Sequence, residues 1–307
     1  MRATFVNTLA EMARVDDKIM CIIGDTGFSV FEEFEKEFGE RFVNVGIAEQ
    51  NFVSFGAGLA AIGMKPYIYN VVSFMTLRGA EQIMLDVCYQ ENPVVLVGVG
   101  GGYAYATAGP THHALQDIAM MSVLPNMTVV CPGDPIELRA VMLESKNFGK
   151  PLYIRIGRNV DPIVHTGDID FQIGKAIKVK EGTQAVIFST GVMLPEAVKM
   201  QEILETRGFS VGLYSMHTVK PIDRKVILES ACEGKAIFTV EEHSVIGGLG
   251  DAVARVLLEN MEKYPVKFKK FAVPDVFAPV TGTREYLDEL VGLSVGKMVD
   301  EIETMLG

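Results

Sequence analysis

The amino-acid sequence predicts an α/β protein of two doubly wound domains, each built on a mostly parallel sheet. Strand-like runs alternate with helix-like segments along most of the chain, and the runs of the first half are almost entirely apolar. Continuous apolar runs are typical of parallel strands that helices cover on both faces. The length of 307 residues suits two domains rather than one, and 49% hydrophobic residues suffice for two large cores.

The first half is predicted to alternate six helices with six strands. Its first helix, 2–15, follows from the spacing of Phe5, Leu9 and Met12 on one face. The remaining predicted elements are strands at 18–24, 41–45, 66–72, 93–99, 127–131 and 151–156, and helices at 30–38, from Glu49 onward, 74–89, about 114–124 and 135–146. Ligands of such sheets bind where the parallel strands end, at their carboxyl edge.

The second half repeats the pattern after a polar, irregular stretch from Arg158 to about Gln184. We therefore predict a first domain at 1–165, a linker at 166–184 and a second domain at 185–307. The predicted elements of the second domain are strands at 185–189, 211–215 and 236–240, and helices at 194–207, 224–231, 249–261, 284–291 and 295–305. Ser294 is a candidate N-cap for the last helix.

Composition excludes several classes of partner. A formal net charge of −11 argues against nucleic acid or an anionic membrane as a general partner, although a local basic site for a sugar phosphate remains compatible with it. No uncharged apolar run of membrane-spanning length follows the charged start, and no secretory signal is recognisable. The four cysteines are widely spaced without a metal-binding pattern, which indicates reduced thiols in a cytoplasmic protein.

Glu49 is the first candidate for chemistry, at the start of a helix rich in small residues. Its surroundings are apolar, and no Lys or Arg occurs between Arg41 and Lys65. One interpretation is a solvated first-turn Glu that the helix dipole stabilises. The other is a desolvated acid that is available for proton transfer.

A glycine-rich run and two histidines follow the fourth predicted strand. The glycines at 98–102 invite a dinucleotide interpretation, but that site needs a helix immediately afterwards, and a loop follows instead. The glycines therefore more simply permit a close backbone approach. His112 and His113 are either surface residues or half of a metal site with Asp117 as a further ligand.

Two arginines and one aromatic residue complete the candidates. Arg155 and Arg158 lie at the end of the last strand of the first domain, where guanidinium groups suit a phosphate. Their structural alternative is a salt bridge at the domain junction. Phe74, near the start of the helix after the third strand, is otherwise an ordinary core aromatic.

Four segments carry a resemblance to a known family. Segment 46–51 (GIAEQN) and segment 109–121 (GPTHHALQDIAMM) resemble the pyrimidine-binding domain of transketolases. Segments 216–223 (MHTVKPID) and 240–250 (VEEHSVIGGLG) resemble the C-terminal domain of the same enzymes, where such strings are structural. The resemblance covers essentially the whole chain and implies the two-domain α/β fold already predicted.

The resemblance implies a thiamine diphosphate site. Glu49 would protonate N1′ of the aminopyrimidine, and Phe74 would stack on that ring, with Met75 as the alternative one residue along. Asp25 corresponds to an acid near the cofactor, and Ile47 is expected to line the same site.

The resemblance also implies substrate contacts. His112 would face the sugar as a hydrogen-bonding or acid–base partner, and Arg158 would bind its phosphate. Two positions depart from the family: Ala108 stands where many transketolases have an Asp, and Gly100 or a neighbour replaces a His near the phosphate. Which ketose donor and which aldose acceptor are used therefore stays open.

A further departure concerns the diphosphate. The Gly-Asp-Gly segment and the Asn that hold Mg²⁺ in full-length transketolases have no counterpart in this sequence. The chain thus resembles the C-terminal subunit of a split transketolase, a cytoplasmic enzyme of carbohydrate metabolism and the pentose phosphate pathway. The resemblance implies transfer of a two-carbon ketol unit from a ketose phosphate to an aldose phosphate, with Mg²⁺ held by an N-terminal partner subunit.

Assembly and alternatives follow from the same resemblance. We expect a heterotetramer in which two copies of this chain meet through the Glu49 helix, whose small residues (Gly56, Ala57, Gly58, Ala60 and Ala61) would allow close approach. The alternatives are a 1-deoxyxylulose-5-phosphate synthase-like subunit, a 2-oxoacid dehydrogenase E1β-like subunit, and a non-catalytic subunit that retains the fold. The Glu-Gln-Asn and Gly-Pro-Thr-His strings favour a transketolase over E1β.

Overall fold

The structure, a computed structural model, describes residues 1–158 and 161–307. Its first half contains, in chain order, α1 (Arg2–Val15), β1 (Ile19–Ile23), α2 (Glu32–Phe38), β2 (Phe42–Asn44), α3 (Glu49–Ala61), β3 (Lys65–Val71), α4 (Val72–Arg78), α5 (Ala80–Gln82), a π-helical segment (Ile83–Tyr89), β4 (Val95–Val99), α6 (Asp117–Val123), β5 (Thr128–Val130), α7 (Pro135–Ser145) and β6 (Leu152–Ile156). The second half contains β7 (Ile177–Lys180), β8 (Ala185–Ser189), α8 (Leu194–Thr206), β9 (Val211–Ser215), β10 (Thr218–Lys220), α9 (Arg224–Cys232), β11 (Ala236–Ser244), α10 (Leu249–Leu258), β12 (Phe268–Val273), α11 (Arg284–Val291) and α12 (Val295–Leu306).

Two sheets confirm the predicted α/β class. The first has seven strands in the order β10-β5-β6-β4-β3-β1-β2, and the second has five in the order β12-β11-β8-β9-β7. Neighbouring strands are parallel except for β10 beside β5 and β7 beside β9. Strands β1, β4, β6 and β8 are buried along their whole length, because helices pack on both faces of each sheet.

Three strands were not predicted, and all three are at sheet edges. β7 (IKVK) and β12 (FKKFAV) carry lysines and are only partly buried, so they lack the apolar signature of the central strands. β7 lies within the range 166–184 that the sequence assigned to a linker. β10 is three residues long and pairs with β5 of the other sheet, so the second half of the chain completes the first sheet.

The small residues of α3 differ from the expectation that they face a second copy. Gly56, Ala57 and Ala60 are buried inside the chain, whereas Gly58 and Ala61 are exposed. A β-carbon on Gly56 would lie 2.6 Å from Cδ1 of Ile68 in β3, so this glycine lets the helix pack closely on its own sheet. For the three buried residues the expectation was wrong.

Two further features concern the helices. Ser294 occupies the N-cap position of α12 as predicted, although within the described residues its hydroxyl makes no capping hydrogen bond. Across residues 1–158 and 161–307, no helix is long and apolar enough to span a membrane.

The carboxyl edge of the first sheet gathers the residues that the sequence singled out. Asp25 follows β1, Glu49 follows β2, Phe74 follows β3, His112 lies on the loop after β4, and Arg158 follows β6. These five strands are neighbours in the sheet, in the order β6-β4-β3-β1-β2. Parallel strands end on the same side, so the topology alone brings the five segments to one edge.

Candidate active site

Glu49 is a buried carboxylate at the border of an open groove. It is the first residue of α3 and is only 6% exposed. The groove has a volume of about 550 Å³, and Ile47, Asn51 and Arg78 line it together with Glu49. The structure thus shows Glu49 largely shielded from bulk water, as the second interpretation of the sequence expects.

Arg78 pairs with this carboxylate. Its Nη1 donates to Oε1 of Glu49 at 2.8 Å, and its Cζ lies 4.5 Å from the centroid of the Phe74 ring. Phe74 and Arg78 are four residues apart on α4, a spacing that places side chains on the same helix face. The Arg78 side chain is 52% exposed, so the guanidinium is held by these two contacts and not by packing.

Phe74 connects this pair to the loop after β4 that carries His112, called the histidine loop below. The Phe74 ring meets the His112 ring edge-on, with centroids 4.9 Å apart. The loop is fixed beside it, because Ser73 Oγ donates to the carbonyl oxygen of Thr111 at 3.3 Å. Met75, the alternative stacking residue, is fully buried in the core, whereas Phe74 is half-buried at the site.

His112 has an environment that favours its neutral form. Partial burial lowers the pKa of this imidazole below its usual value, and the adjacent His113 together with the positive charges of Arg158 and Arg78 lowers it further. Its Nδ1 lies 2.9 Å from Oγ1 of Thr111. A neutral imidazole near pH 7 can accept a proton or a hydrogen bond from a sugar hydroxyl.

Arg158 and Tyr105 complete the series of contacts. The Arg158 Cζ lies 4.3 Å from the centroid of the Tyr105 ring, and that ring lies 5.7 Å from the His112 ring. A continuous chain of side-chain contacts therefore runs from the carboxylate at the start of α3 to the guanidinium after β6. Four of the predicted residues, Glu49, Phe74, His112 and Arg158, belong to it.

Asp25 and Ile47 lie at the margin of this series. Asp25 is exposed, and its backbone N–H donates to Oδ1 of Asn44 at 3.0 Å, which ties the loop after β1 to the end of β2. Ile47 is 75% exposed on the groove. Neither side chain contacts Glu49 through a hydrogen bond within the described residues.

Other candidates have structural roles. Arg155 is 4% exposed and its Nε donates to Oδ2 of Asp117 at 2.8 Å, so this arginine forms the salt bridge at the domain junction. His113 is buried, with Nε2 3.2 Å from the carbonyl oxygen of Ala106. His217 and His243 are both fully buried, and each accepts a hydrogen bond from a backbone N–H of the first half of the chain, that of Cys131 and that of Ala119 respectively. Among the described residues, no group of His, Cys, Asp or Glu is arranged to hold a metal ion.

Sequence reasoning missed two residues of the site, Arg78 and Tyr105. The four-residue spacing from Phe74 was a usable signal for Arg78, since it predicts contact on a helix. Tyr105 had a weaker signal: it lies three residues after a run of three glycines, and its position depends on the backbone path of the loop.

Two protein families match the chain. The family described as transketolase, pyrimidine binding domain, matches residues 1–161, and the family described as transketolase, C-terminal domain, matches residues 174–298. The first of these ranges contains every residue of the contact series from Glu49 to Arg158.

Individual relatives are similar over nearly the whole chain. An apulose-4-phosphate transketolase subunit from Phocaeicola vulgatus is 37% identical, covering 89% of this chain and 87% of the relative. The 6-deoxy-6-sulfo-D-fructose transketolase subunit SqwH from a Clostridium species (strain MSTE9) is 35% identical, with 97% and 92% covered. A 1-deoxy-D-xylulose-5-phosphate synthase from Syntrophotalea carbinolica is 36% identical over 94% of this chain but only 45% of the relative.

A solved structure has the same arrangement of both domains. It is described as a split gene transketolase, inactive beta4 tetramer, and superposes with a TM-score of 0.89 at 37% identity. The match covers 99% of this chain and 97% of that one.

Proposed function

The chain belongs to the transketolase family, and we propose that it is the C-terminal subunit of a thiamine-diphosphate-dependent enzyme that transfers a two-carbon ketol unit. The donor would be a ketose phosphate and the acceptor an aldose phosphate. The observation that carries the proposal is the buried Glu49 carboxylate on an open groove, with Phe74 and His112 in succession beside it.

The chemistry of these side chains fits the pyrimidine end of the cofactor. A flat heterocycle with ring nitrogens needs an acid that shares a proton with it and an aromatic face that packs on it, and Glu49 and Phe74 supply these two groups. The guanidinium of Arg78, itself planar and nitrogen-rich, already makes both kinds of contact in this structure. When bound, thiamine diphosphate supplies the carbon nucleophile that accepts the two-carbon unit and passes it on.

The protein side of the mechanism is then divided among three residues. Glu49 holds or releases a proton at the ring nitrogen, and its burial keeps water from competing for that proton. His112 contacts the sugar oxygens as a neutral imidazole, and Arg158 binds the sugar phosphate through its planar guanidinium. Mg²⁺ and the diphosphate would be held by the N-terminal partner subunit. Ala108 is exposed on the same loop and offers no polar group to the acceptor.

A 1-deoxyxylulose-5-phosphate synthase-like reaction is the second candidate. It is favoured by the similarity of such a synthase over 94% of this chain. The two reactions differ in their donor, so an assay that supplies the substrates of both decides between them.

Self-association is part of the proposal. Several large apolar side chains of the Glu49 groove and of the helices beside it are exposed: Ile47, Phe55, Leu77, Met84, Leu85 and Tyr89. Because the helices that carry most of them pack against one another, these exposed apolar side chains favour an interaction surface on this face. The likeness to a chain that forms a beta4 tetramer supports a second copy as the partner on this surface.

The direct test is reconstitution. We expect ketol transfer when the chain is co-expressed with an N-terminal diphosphate-binding transketolase subunit and supplied with thiamine diphosphate and Mg²⁺, and no transfer from the chain alone. Coupled assays with ketose phosphate donors, and with pyruvate as the donor for the synthase reaction, measure it. An assembled complex that binds cofactor but transfers no unit from any of these donors would contradict the proposal.

Arg78→Ala gives an independent prediction on cofactor binding. Arg78 occupies the face of Phe74 and the oxygen of Glu49 that the pyrimidine would use, so the guanidinium must withdraw when the ring enters. An exposed ion pair is worth about 0.2–1 kcal/mol, so we expect Arg78→Ala to bind thiamine diphosphate up to about fivefold tighter in calorimetry on the full chain. Arg14→Ala is the matched control, because Arg14 is 53% exposed and pairs with Glu37 of α2, outside the series of contacts from Glu49 to Arg158. Weaker binding by Arg78→Ala would show that Arg78 is itself a ligand.

A further inference from the structure

Tyr105 lies between two of the proposed substrate-binding residues, and neither cofactor nor substrate binding explains its place. It is half-buried on the loop after β4, with Arg158 over one part of the ring and His112 beside it. A guanidinium stacked on an aromatic ring within about 6 Å of its centroid is attracted by the electron-rich face. The contact therefore restricts where the Arg158 charge is held.

Gly100 makes room for this ring. A β-carbon at position 100 would lie 2.1 Å from Cε2 of Tyr105, so no side chain other than hydrogen fits there while the ring is in place. The backbone of Gly100 also has φ +85°, which favours glycine. Gly100, which either itself or through a neighbour replaces the phosphate-side histidine that the resemblance leads one to expect, is thus covered by the tyrosine ring.

The Arg158 side chain could occupy a second position if the Tyr105 ring were removed. It also lines a cavity of about 230 Å³ between the two halves of the chain, together with Asp161 and Glu285. The Asp161 carboxylate lies against the backbone of Gly157, the residue before Arg158, and already pairs with the N-terminal amine of Met1 at 2.9 Å. Arg284 also lines this cavity and pairs with Glu242 there, so the attraction of a guanidinium away from His112 comes from carboxylates such as Glu285. The ring of Tyr105 opposes this displacement.

We propose that Tyr105 is a positioning residue that holds the Arg158 guanidinium beside His112, and so sets the preference for phosphorylated sugars. The inference rests on the proposed function, in which Arg158 binds the sugar phosphate. It assigns to the Tyr105 ring, acting through the arginine, the control of the phosphate end of the site.

The test compares Tyr105→Leu, which removes the aromatic face, with Tyr105→Phe, which keeps it. In the reconstituted enzyme, Tyr105→Leu should raise KM for ribose 5-phosphate about two- to fivefold, the range that an exposed cation–π contact gives. The kcat, and the KM for unphosphorylated ribose, should stay unchanged. Tyr105→Phe should match the wild type. In an Arg158→Ala background, Tyr105→Leu should have no further effect.

A second readout does not need activity. Burial lowers the pKa of His112 most, and the Arg158 charge lowers it further. NMR titration of the full chain should therefore show this pKa rising in Tyr105→Leu and in Arg158→Ala, unchanged in Tyr105→Phe, and rising no further when Tyr105→Leu is added to Arg158→Ala. If His112 responds in this way but the complex transfers no ketol unit, the positioning role stands and the proposed function fails. An equal rise in KM for ribose and for ribose 5-phosphate in Tyr105→Leu would overturn the inference. So would a Tyr105→Phe variant that is as impaired as Tyr105→Leu.

Discussion

Glu49→Gln is expected to leave the fold and assembly intact while lowering turnover of the reconstituted enzyme by about 10²–10⁴-fold, the usual contribution of a general acid–base group. Glutamine keeps the shape of the side chain, and its amide oxygen can still accept from Arg78 in place of Oε1. It cannot exchange a proton with a ring nitrogen. Turnover should therefore fall far more than cofactor affinity.

The measurement is hydrogen–deuterium exchange at C2 of thiamine diphosphate bound to the complex, in wild type and variant. Glu37→Gln is the matched control, because Glu37 also accepts hydrogen bonds from an arginine, Arg14, at 2.7 Å but on the exposed surface of another helix. The control should leave both the exchange rate and the stability of the fold as they are in the wild type, since exposed ion pairs contribute little. Equal exchange rates in wild type and Glu49→Gln would remove Glu49 from the chemistry.

Sequence analysis predicted those strands whose burial produces a recognisable pattern of residues within the strand itself. Runs such as Ile19–Ile23 and Val95–Val99 are apolar throughout because both faces are covered, and this shows without knowledge of their partners. Thr218–Lys220 has no such apolar pattern, because it is a strand only through its pairing with Thr128–Val130, far earlier in the chain. Edge strands are defined by long-range pairing, which a local pattern does not contain.

The residues of the candidate site also fall into those that the sequence predicted and those that it did not. Glu49 and His112 could be predicted because they are embedded in recognisable strings, and the parallel topology then brought them to one edge. The places of Arg78 and Tyr105 depend on side-chain direction and on a loop whose path is set by a residue at positive φ, Gly100. The four-residue spacing from Phe74 does carry a signal for Arg78, but the path of the loop that holds Tyr105 cannot be read from residue spacing.

The second large effect is expected at the buried ion pair of Asp117 and Arg155, which fixes the loop that carries His112. Arg155 is 4% exposed and Asp117 2%, and Tyr153 also donates to Oδ2 of Asp117, at 2.7 Å. The Nη2 of Arg155 donates to the carbonyl oxygens of Ala114 at 2.8 Å and of Glu242 at 3.0 Å. One guanidinium therefore joins β6, the end of the histidine loop and β11 of the second sheet.

Asp117→Ala should lower the free energy of unfolding by about 3–5 kcal/mol, because it leaves the Arg155 charge buried without its counter-charge. Burial is the largest influence on the pKa of Arg155 and lowers it, but the charge and hydrogen bond of Asp117, together with Cys131 and Tyr153, raise this pKa above its usual value. Chemical unfolding of the full chain measures the change, with Glu37→Ala as a control that breaks an exposed Arg–Glu pair and should leave the midpoint of unfolding nearly unchanged. Since the guanidinium also holds Ala114, the loop that carries His112 should lose amide-exchange protection before the sheets do. A loss of stability no greater than that of Glu37→Ala would mean that the junction is held by apolar packing and not by this pair.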